Sequence, residues 1–391
     1  MAITIKPLSP DDLDWIARHK SDDTSRLRLK YHGNEDITYL IDQLEARRKG
    51  SHKVAREIER APGFVFPTLL SAEQCTSDLL AEYHATLVTA GERVLDMTAG
   101  LGIDAIHLSN VASTVTAVDI DPRCTDALNI NAALLGIDNL TAVNADSLEL
   151  LSNDSTVYDT IFVDPARRGD GGKRLYRLGD CLPDVVGNIC LIMSRCKQLI
   201  IKASPMLDPT AAAAELEQYN PDVIAVGTTD ECKELVMRLP GNGRRGATTI
   251  PGSEIFFDNA ERDEPKFGDP AVGDILYEPF PASVKIGSFN TLSARYGTVK
   301  IGRNTHLYFS AQLNPSFPGK AHRVIEVSEF GKKAMADVVK RYGNLSVTTR
   351  DFPMTAAEIK KRFKTGESNT HRLWAVKNSK NKLVIIVTSS V

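Results

Sequence analysis

Val94-Leu95-Asp96-Met97-Thr98-Ala99-Gly100-Leu101-Gly102-Ile103-Asp104 is the stretch that decides the fold. A short apolar run ending at Asp96 leads into two glycines and then into a helix-like pattern, the order of a buried strand, a tight turn and a helix. Gly100 and Gly102 let the backbone turn sharply and approach a ligand with no Cβ in the way. The helix that follows offers unpaired N–H groups at its start. Asp96 sits four residues before Gly100. Its charge repels a pyrophosphate, whereas it pairs well with a cationic amino group. Gly100 to Ala105 also fits the dinucleotide pattern GxGxxA, a weak signal alone. In dinucleotide sites, however, the glycines follow the strand directly, and here Asp96 to Ala99 intervene. A glycine turn that holds no ligand is the third reading.

Outward from this run, strand-like and helical stretches alternate. RVLDM, TVTAVDI, LTAVNA, DTIFVDP and QLIIKAS are short, apolar and β-rich, and DAIHLSNVA, PRCTDALNINAALLG, CLPDVVGNICLIMSRC and PTAAAAELEQY read as helices between them. Such alternation predicts an α/β fold, a parallel sheet with helices on both faces. PDVIAVGTTD and TTIPGSEIFFD are expected to close it as a last strand pair. Asp119, followed by Ile120, ends the second strand and can accept both hydroxyls of a ribose. Asp121 is read as the cap of the helix starting at Pro122. Asp146, followed by Ser147, stands after the third strand, placed to accept from an adenine amine or else to cap a helix. An amino-binding Asp96, a turn from Thr98 and Ala99 through Gly100 and Gly102, a ribose site and an adenine site together favour S-adenosylmethionine (SAM) over NAD. Asp164-Pro165-Ala166-Arg167 closes the fourth strand with a φ-restricted turn, where the methyl acceptor is expected. Asp164 is expected to orient that acceptor or take its proton. Arg167, Arg168, Lys173 and Arg174 then form a glycine-rich basic loop suited to gripping phosphate, or simply a solvated loop.

The order of these sites resembles motifs I to IV of class I SAM-dependent methyltransferases. That resemblance implies a Rossmann-like sheet closed by an antiparallel pair. It also puts Gln74 and Ser77, read as part of one helix after Pro67 capped by Ser71, where many nucleic-acid methyltransferases touch the methionine carboxylate. FPTLLSAEQCTSDLLAEYHA, LDMTAGLGID, FVDPARRG, IKASPMLD, VKIGSFNTLSARYG and VTTRDFP look like a bacterial methyltransferase family with ferredoxin-like and THUMP-like domains after the catalytic one. The likeness covers nearly the whole chain and implies an RNA substrate, rRNA or tRNA. DPAR is close to the DPPR string of pyrimidine C5 methyltransferases, but these need a cysteine after the fifth strand. Here that stretch is Lys202-Ala203-Ser204-Pro205-Met206-Leu207-Asp208, which disfavours carbon methylation. Arg167 stands where amino-group methyltransferases place a stacking aromatic. A ring nitrogen, an exocyclic nitrogen or a hydroxyl remains. Ser204 and Asp208 are read as lining the acceptor pocket, or as a strand-end turn and a helix cap.

The domain reading follows from composition and pattern. Residues 1–65 are expected to be helical, with Asp11 or Asp12 capping the first helix, and residues 66–260 to form the catalytic domain. A polar linker covers 259–275, a ferredoxin-like segment 274–328 with a helical centre between strands, and a THUMP-like domain 329–391. Residues 274–391 hold 19 Lys and Arg against 8 Asp and Glu, a balance of +11, while residues 1–273 carry −14. A basic region on an acidic body suits a polyanionic partner, here RNA gripped in part by Lys360, Lys361 and Arg362. The six cysteines form no CxxC pair or zinc spacing, so no metal is expected, and free thiols suit a cytoplasmic setting. No apolar stretch approaches the ~20 residues of a membrane span, and no secretion signal is visible at the start. The rival functions are a small-molecule or protein methyltransferase, and a catalytically silent SAM- and RNA-binding assembly factor.

Overall fold

The computed structural model describes residues 4–167, 177–252, 254–257 and 264–391. Among these, the strands are, in chain order, β1 (Arg93–Asp96), β2 (Thr114–Asp119), β3 (Leu140–Asn144), β4 (Tyr158–Val163), β5 (Ala166–Arg167), β6 (Cys181–Leu182), β7 (Cys196–Ala203), β8 (Asp222–Gly227), β9 (Cys232–Leu239), β10 (Arg245–Thr249) and β11 (Glu254–Phe257). Seven more follow: β12 (Ile275–Pro279), β13 (Val299–Lys300), β14 (Tyr308–Ser310), β15 (Gly319–Glu329), β16 (Ser346–Arg350), β17 (His371–Lys377) and β18 (Leu383–Ser390). The chain divides into two compact units, residues 1–222 with 235–242, and residues 223–234 with 243–391.

In the first unit the sheet order is β9-β7-β4-β1-β2-β3. β1 pairs in parallel with β2 and with β4, β2 with β3 and β4 with β7, while β9 runs antiparallel to β7. The chain thus winds from β1 out to β3, returns beside β1 at β4, and continues the other way. That reversal leaves a crevice beyond the carboxyl ends of β1 and β4, where open α/β sheets bind ligands. Val94, Leu95, Ile161, Phe162, Val163, Leu199, Ile200 and Ile201 are fully or almost fully buried, as expected for strands covered on both faces.

The antiparallel strand beside β7 is β9, CKELVMRL, which the sequence reading passed over. Its charges break the apolar pattern, yet Glu234 is buried and Arg238 lies 3.8 Å from the buried Asp222. The expected closing pair is not antiparallel: β10 runs parallel to β8 and antiparallel to β11.

Four helices, Pro10–Arg18, Thr24–Lys30, Glu35–Gly50 and Ala55–Arg60, make up the N-terminal segment ahead of Pro67. The first is capped by Ser9, not by Asp11 or Asp12; Asp12 supplies the return bond of a capping box. Ile16, Leu27, Tyr39, Leu40, Ile41 and Leu44 share one core with Val65 and Ala127. Two buried amides stitch the entering chain. Asn131 accepts from the Val65 N–H at 2.8 Å and donates to its carbonyl at 2.9 Å. Gln43 does the same for Phe66 at 3.0 and 2.7 Å. The N-terminal helices therefore buttress the helix Pro122–Leu135 that follows β2.

The single helix expected after Pro67 is two, Leu69–Gln74 and Asp78–Ala85, the first capped by Thr68 rather than Ser71. The break at Cys75 to Ser77 turns the Thr76 hydroxyl inward to Asp104 at 2.6 Å. CLPDVVGNICLIMSRC is helical only over Ile189–Met193; Pro183 and Gly187 interrupt the rest, and Cys181–Leu182 pairs with Ala166–Arg167 as a two-strand ribbon.

In the second unit, β12 to β18 form one sheet in the order β13-β14-β12-β15-β18-β17-β16. It is antiparallel except between β16 and β17. Within the ferredoxin-like segment the stretch SVKI lies in a helix, Pro281–Ile286, started by Pro281 at its first turn. One core gathers Leu276, Leu307, Trp374 and Ile386. Another gathers Leu373 and Ile385 with Met335, Val338 and Ile359 from the helices Lys332–Tyr342 and Ala356–Phe363.

Candidate functional site

The ends of β1, β2 and β4 bring the sequence-predicted acids together through the backbone. Asp96 closes β1 and is 1% exposed. Its Oδ1 accepts from the Thr98 N–H at 3.0 Å, and its Oδ2 takes no hydrogen bond among the described residues. Burial pushes this carboxyl up to about 8, against the pull of the Thr98 N–H. Asp119 closes β2, one oxygen accepting from the Gly100 N–H and the other from the Asp121 N–H, each at 2.8 Å. The acid expected to meet a ribose thus also fixes the glycine turn. Gly100 has φ +54° and nothing within 4 Å of where a Cβ would stand, so its face is open to a ligand. Gly102 has φ +85°, and a Cβ there would lie 2.3 Å from Leu128. One glycine clears space; the other lets the turn pack on the helix after β2. Thr98 ties the two central strands: its Oγ1 accepts from the Asp164 N–H at 2.8 Å.

Asp146 is a helix cap, Oδ1 accepting from Leu148 and Glu149, and Asp121 caps the helix at Pro122. Ser147 is buried behind Asp146, and Ile120 is 74% exposed at the tip of β2. Ser204 accepts from the Met206 N–H in a strand-end turn, and Asp208 caps the next helix. Gln74 is exposed and Ser77 half-buried, on either side of the inward-facing Thr76. Arg168, Lys173 and Arg174 lie outside the described residues, as does the side chain of Arg167. Lys360 is paired with Glu367, while Lys361 and Arg362 are exposed on the second unit.

A second set of residues was not foreseen. Lys202, at the end of β7, donates to Asp164 Oδ2 at 2.5 Å and to Thr76 Oγ1 at 2.8 Å, and lies 3.7 Å from Asp104 Oδ2. Asp104 Oδ1 is 2.7 Å from Nδ1 of the fully buried His84. Burial works to raise the Asp104 carboxyl, but the Lys202 ammonium and His84 outweigh it and hold it well below the carboxylate range. The signal available was Lys202 itself, a lone cation near the end of an apolar strand, which is placed there only with partners.

One helical turn from Asp104, His107 Nε2 lies 3.0 Å from Glu57 Oε1, and Asp78 completes a buried trio. Burial raises Asp78 to about 7, and the nearby Glu57 adds to the rise. Burial also acts to raise Glu57, but bonds from His107 and Asp78 hold it at about 2.

Three family models match successive stretches. The TRM5/TYW2 methyltransferase domain matches 81–168, a ferredoxin-like domain 276–318 and a THUMP domain-like module 319–390. The chain carries a methyltransferase domain followed by ferredoxin-like and THUMP-like domains. The crystal structure of a Porphyromonas gingivalis W83 protein put forward as a methyltransferase shares the fold. Its TM-score is 0.84 over 97% of this chain and 98% of that one, at 23% identity. An uncharacterised RNA methyltransferase of Mycoplasma mobile is 29% identical over 140 residues, 34% of this chain and 39% of its own. The 23S rRNA (uracil(1939)-C(5))-methyltransferase RlmD of Shewanella amazonensis is 37% identical over 84 residues, 21% of this chain and 19% of its own. The chain therefore spans well under half the length of the curated relatives it matches.

Proposed function

We propose that this protein is a SAM-dependent methyltransferase that modifies a nitrogen or a hydroxyl of RNA, rRNA or tRNA, with the acceptor at the Asp164-Pro165 turn. The observation that carries the reading is the convergence of Asp96, the Gly100 turn, Asp119 and Asp164 on the crevice where the strand order reverses. The residues fit the cofactor. Asp96 offers a buried carboxyl oxygen to the methionine amino group, the open face of Gly100 admits its backbone, and Asp119 reaches the ribose. Bound there, SAM supplies an electrophilic methyl group on a sulfonium.

Asp96 does its part by ionising as it meets a cationic amine. Thr98 holds the Asp164 backbone against β1, so the donor and acceptor ends keep a fixed separation. Asp164 orients the acceptor for in-line attack, which is where most of the acceleration of such a reaction arises. Nothing at the end of β7 supplies a nucleophilic thiol, as Lys202 and Ser204 stand there. Cys75 is in a different place, and burial pushes its thiol up to about 11. These points support nitrogen or oxygen over C5 of uracil.

RNA as the substrate is supported by the basic second unit, where Lys332, Lys333, Lys340, Arg341, Lys361, Arg362 and Lys364 are exposed around two helices. The test is methyl transfer from labelled SAM to total RNA from a strain lacking the protein, followed by nucleoside mass spectrometry. Label in one modified nucleoside is expected. Label confined to protein or to small molecules would replace RNA as the acceptor, and SAM binding without transfer would leave a silent binding factor.

A further inference from the structure

We propose that Lys202 is a positioning residue for methyl transfer, fixing the Asp164 carboxylate as a hydrogen-bond acceptor for an N–H of the nucleophile. The proposal rests on the reading of Asp164 as the acceptor residue. Lys202 is anchored from behind by Thr76 and Asp104, and Asp104 in turn by His84. Its side chain is 12% exposed, so this is not a surface ion pair with little worth. An ammonium removed from water stays where its partners are good. Among the described residues the network meets the crevice at Asp164, whose side chain is 40% exposed. Lys202 engages Oδ2, and Oδ1 takes no hydrogen bond among the described residues.

A carboxylate gripped in this way cannot swing. It presents one oxygen, in one orientation, beside the turn where the acceptor enters. Such a group suits a nitrogen that attacks with its own lone pair while its N–H points at Oδ1. It suits a hydroxyl less, because a hydroxyl needs its proton removed as it attacks. The acceptor lone pair forms the new N–C bond, the S–C bond breaks with its electrons left on sulfur, and the methylated nitrogen sheds its extra proton to water. As positive charge builds on that nitrogen, the bond from its N–H to Oδ1 strengthens, which lowers the barrier rather than only aiding binding.

The experiment compares the full chain, Lys202→Gln, Asp164→Asn and the double variant, with total RNA as acceptor. Calorimetry with SAM gives the donor affinity and a melting curve checks the fold. SAM affinity is expected to stay within about threefold in Lys202→Gln while kcat falls about 100-fold, and the double variant to fall little below Asp164→Asn, as for groups that act as a unit. The modified nucleoside is expected to carry N-methyl. A Lys202→Gln enzyme with kcat near wild type, losses that multiply in the double variant, a joint loss of SAM binding and kcat, or a 2′-O-methyl product would each overturn the proposal. Should Lys202→Gln fail to fold, Thr76→Val loosens the same ammonium. It should cut kcat several-fold at constant SAM affinity, and an unchanged kcat would overturn the proposal. A wild type that transfers nothing to RNA overturns the RNA reading and this one with it, whereas an active wild type with an equally active variant overturns only the role of Lys202.

Discussion

The proposed donor and acceptor sides of the crevice are built differently. The donor side is local: Asp96, Thr98, Gly100 and Gly102 lie within seven residues, and only Asp119 comes from farther along the chain. The acceptor side is assembled at long range. Asp164 is held by Lys202, 38 residues away, and Lys202 by Thr76, 126 residues away. Local construction leaves a motif in the sequence, whereas long-range construction leaves single residues that look ordinary until the sheet aligns them. The difference also assigns the energetics: donor-side changes should act on SAM affinity and acceptor-side changes on turnover.

The largest break in that pattern is expected from Asp96→Ala. It removes a charge-assisted partner for the amino group in a fully buried place, worth about 2–3 kcal/mol, or a loss of SAM affinity of roughly 30- to 150-fold. Calorimetry checks it, and equal affinities would remove Asp96 from the donor site. Next comes Gly102→Ala, where the new methyl meets Leu128 at 2.3 Å on a backbone at φ +85°. Overpacking and left-handed strain together should cost about 2–3 kcal/mol of stability, seen as a lower melting temperature. Gly100→Ala meets no neighbour at φ +54°. It should cost only about 1 kcal/mol of stability yet weaken SAM binding, separating the packing glycine from the ligand glycine.

A third expectation follows from the Asp96 carboxyl at about 8. Before SAM binds, its folded value lies above the unfolded one, so the folded protein holds a proton that the unfolded chain releases near pH 4. This contribution to stability is greatest at low pH and is lost as pH rises through 8. A cationic amine favours the ionised form, so SAM binding should expel a proton. Between pH 6 and 7 the affinity should then rise by about tenfold per unit, the slope for one proton released. Calorimetry in two buffers of different ionisation enthalpy counts that proton, and a flat profile would mean Asp96 is already ionised.

Much of this was legible from sequence where the signal was local. β1 to β4, β7 and the helix caps at Asp121 and Asp208 follow from apolar runs and from Asp-Pro pairs. The donor acids could be ordered for the same reason. What escaped depends on partners distant in the chain. β9 hides because Glu234 and Arg238 look solvated in a strand whose neighbours take them in. The break at Cys75 to Ser77 exists to send Thr76 to Asp104 and Lys202, a need no local propensity records. Asp104 lies inside the deciding run, but its charge matters only once His84 and Lys202 surround it.

The smallest effect should come from the second unit, and it tests whether RNA is gripped there. Lys360 is occupied by Glu367, so among the described residues the cations of that helix outside any ion pair are Lys361 and Arg362, with Arg362 donating to Met354 Sδ at 3.8 Å and lying 5.5 Å from the Phe363 ring centre. Exposed cations that touch phosphate contribute through counterion release, so each lost contact lowers the slope of log affinity against log salt by about 0.7–0.9. Lys361→Glu with Arg362→Glu should therefore weaken RNA binding several-fold at moderate salt and lower the slope by about 1.5, leaving SAM affinity and the melting temperature unchanged. Lys360→Glu should do more damage to stability than to RNA binding, because it sets two acids side by side. If RNA affinity in a filter-binding salt series does not respond to the first pair, Lys361 and Arg362 are not among the RNA contacts.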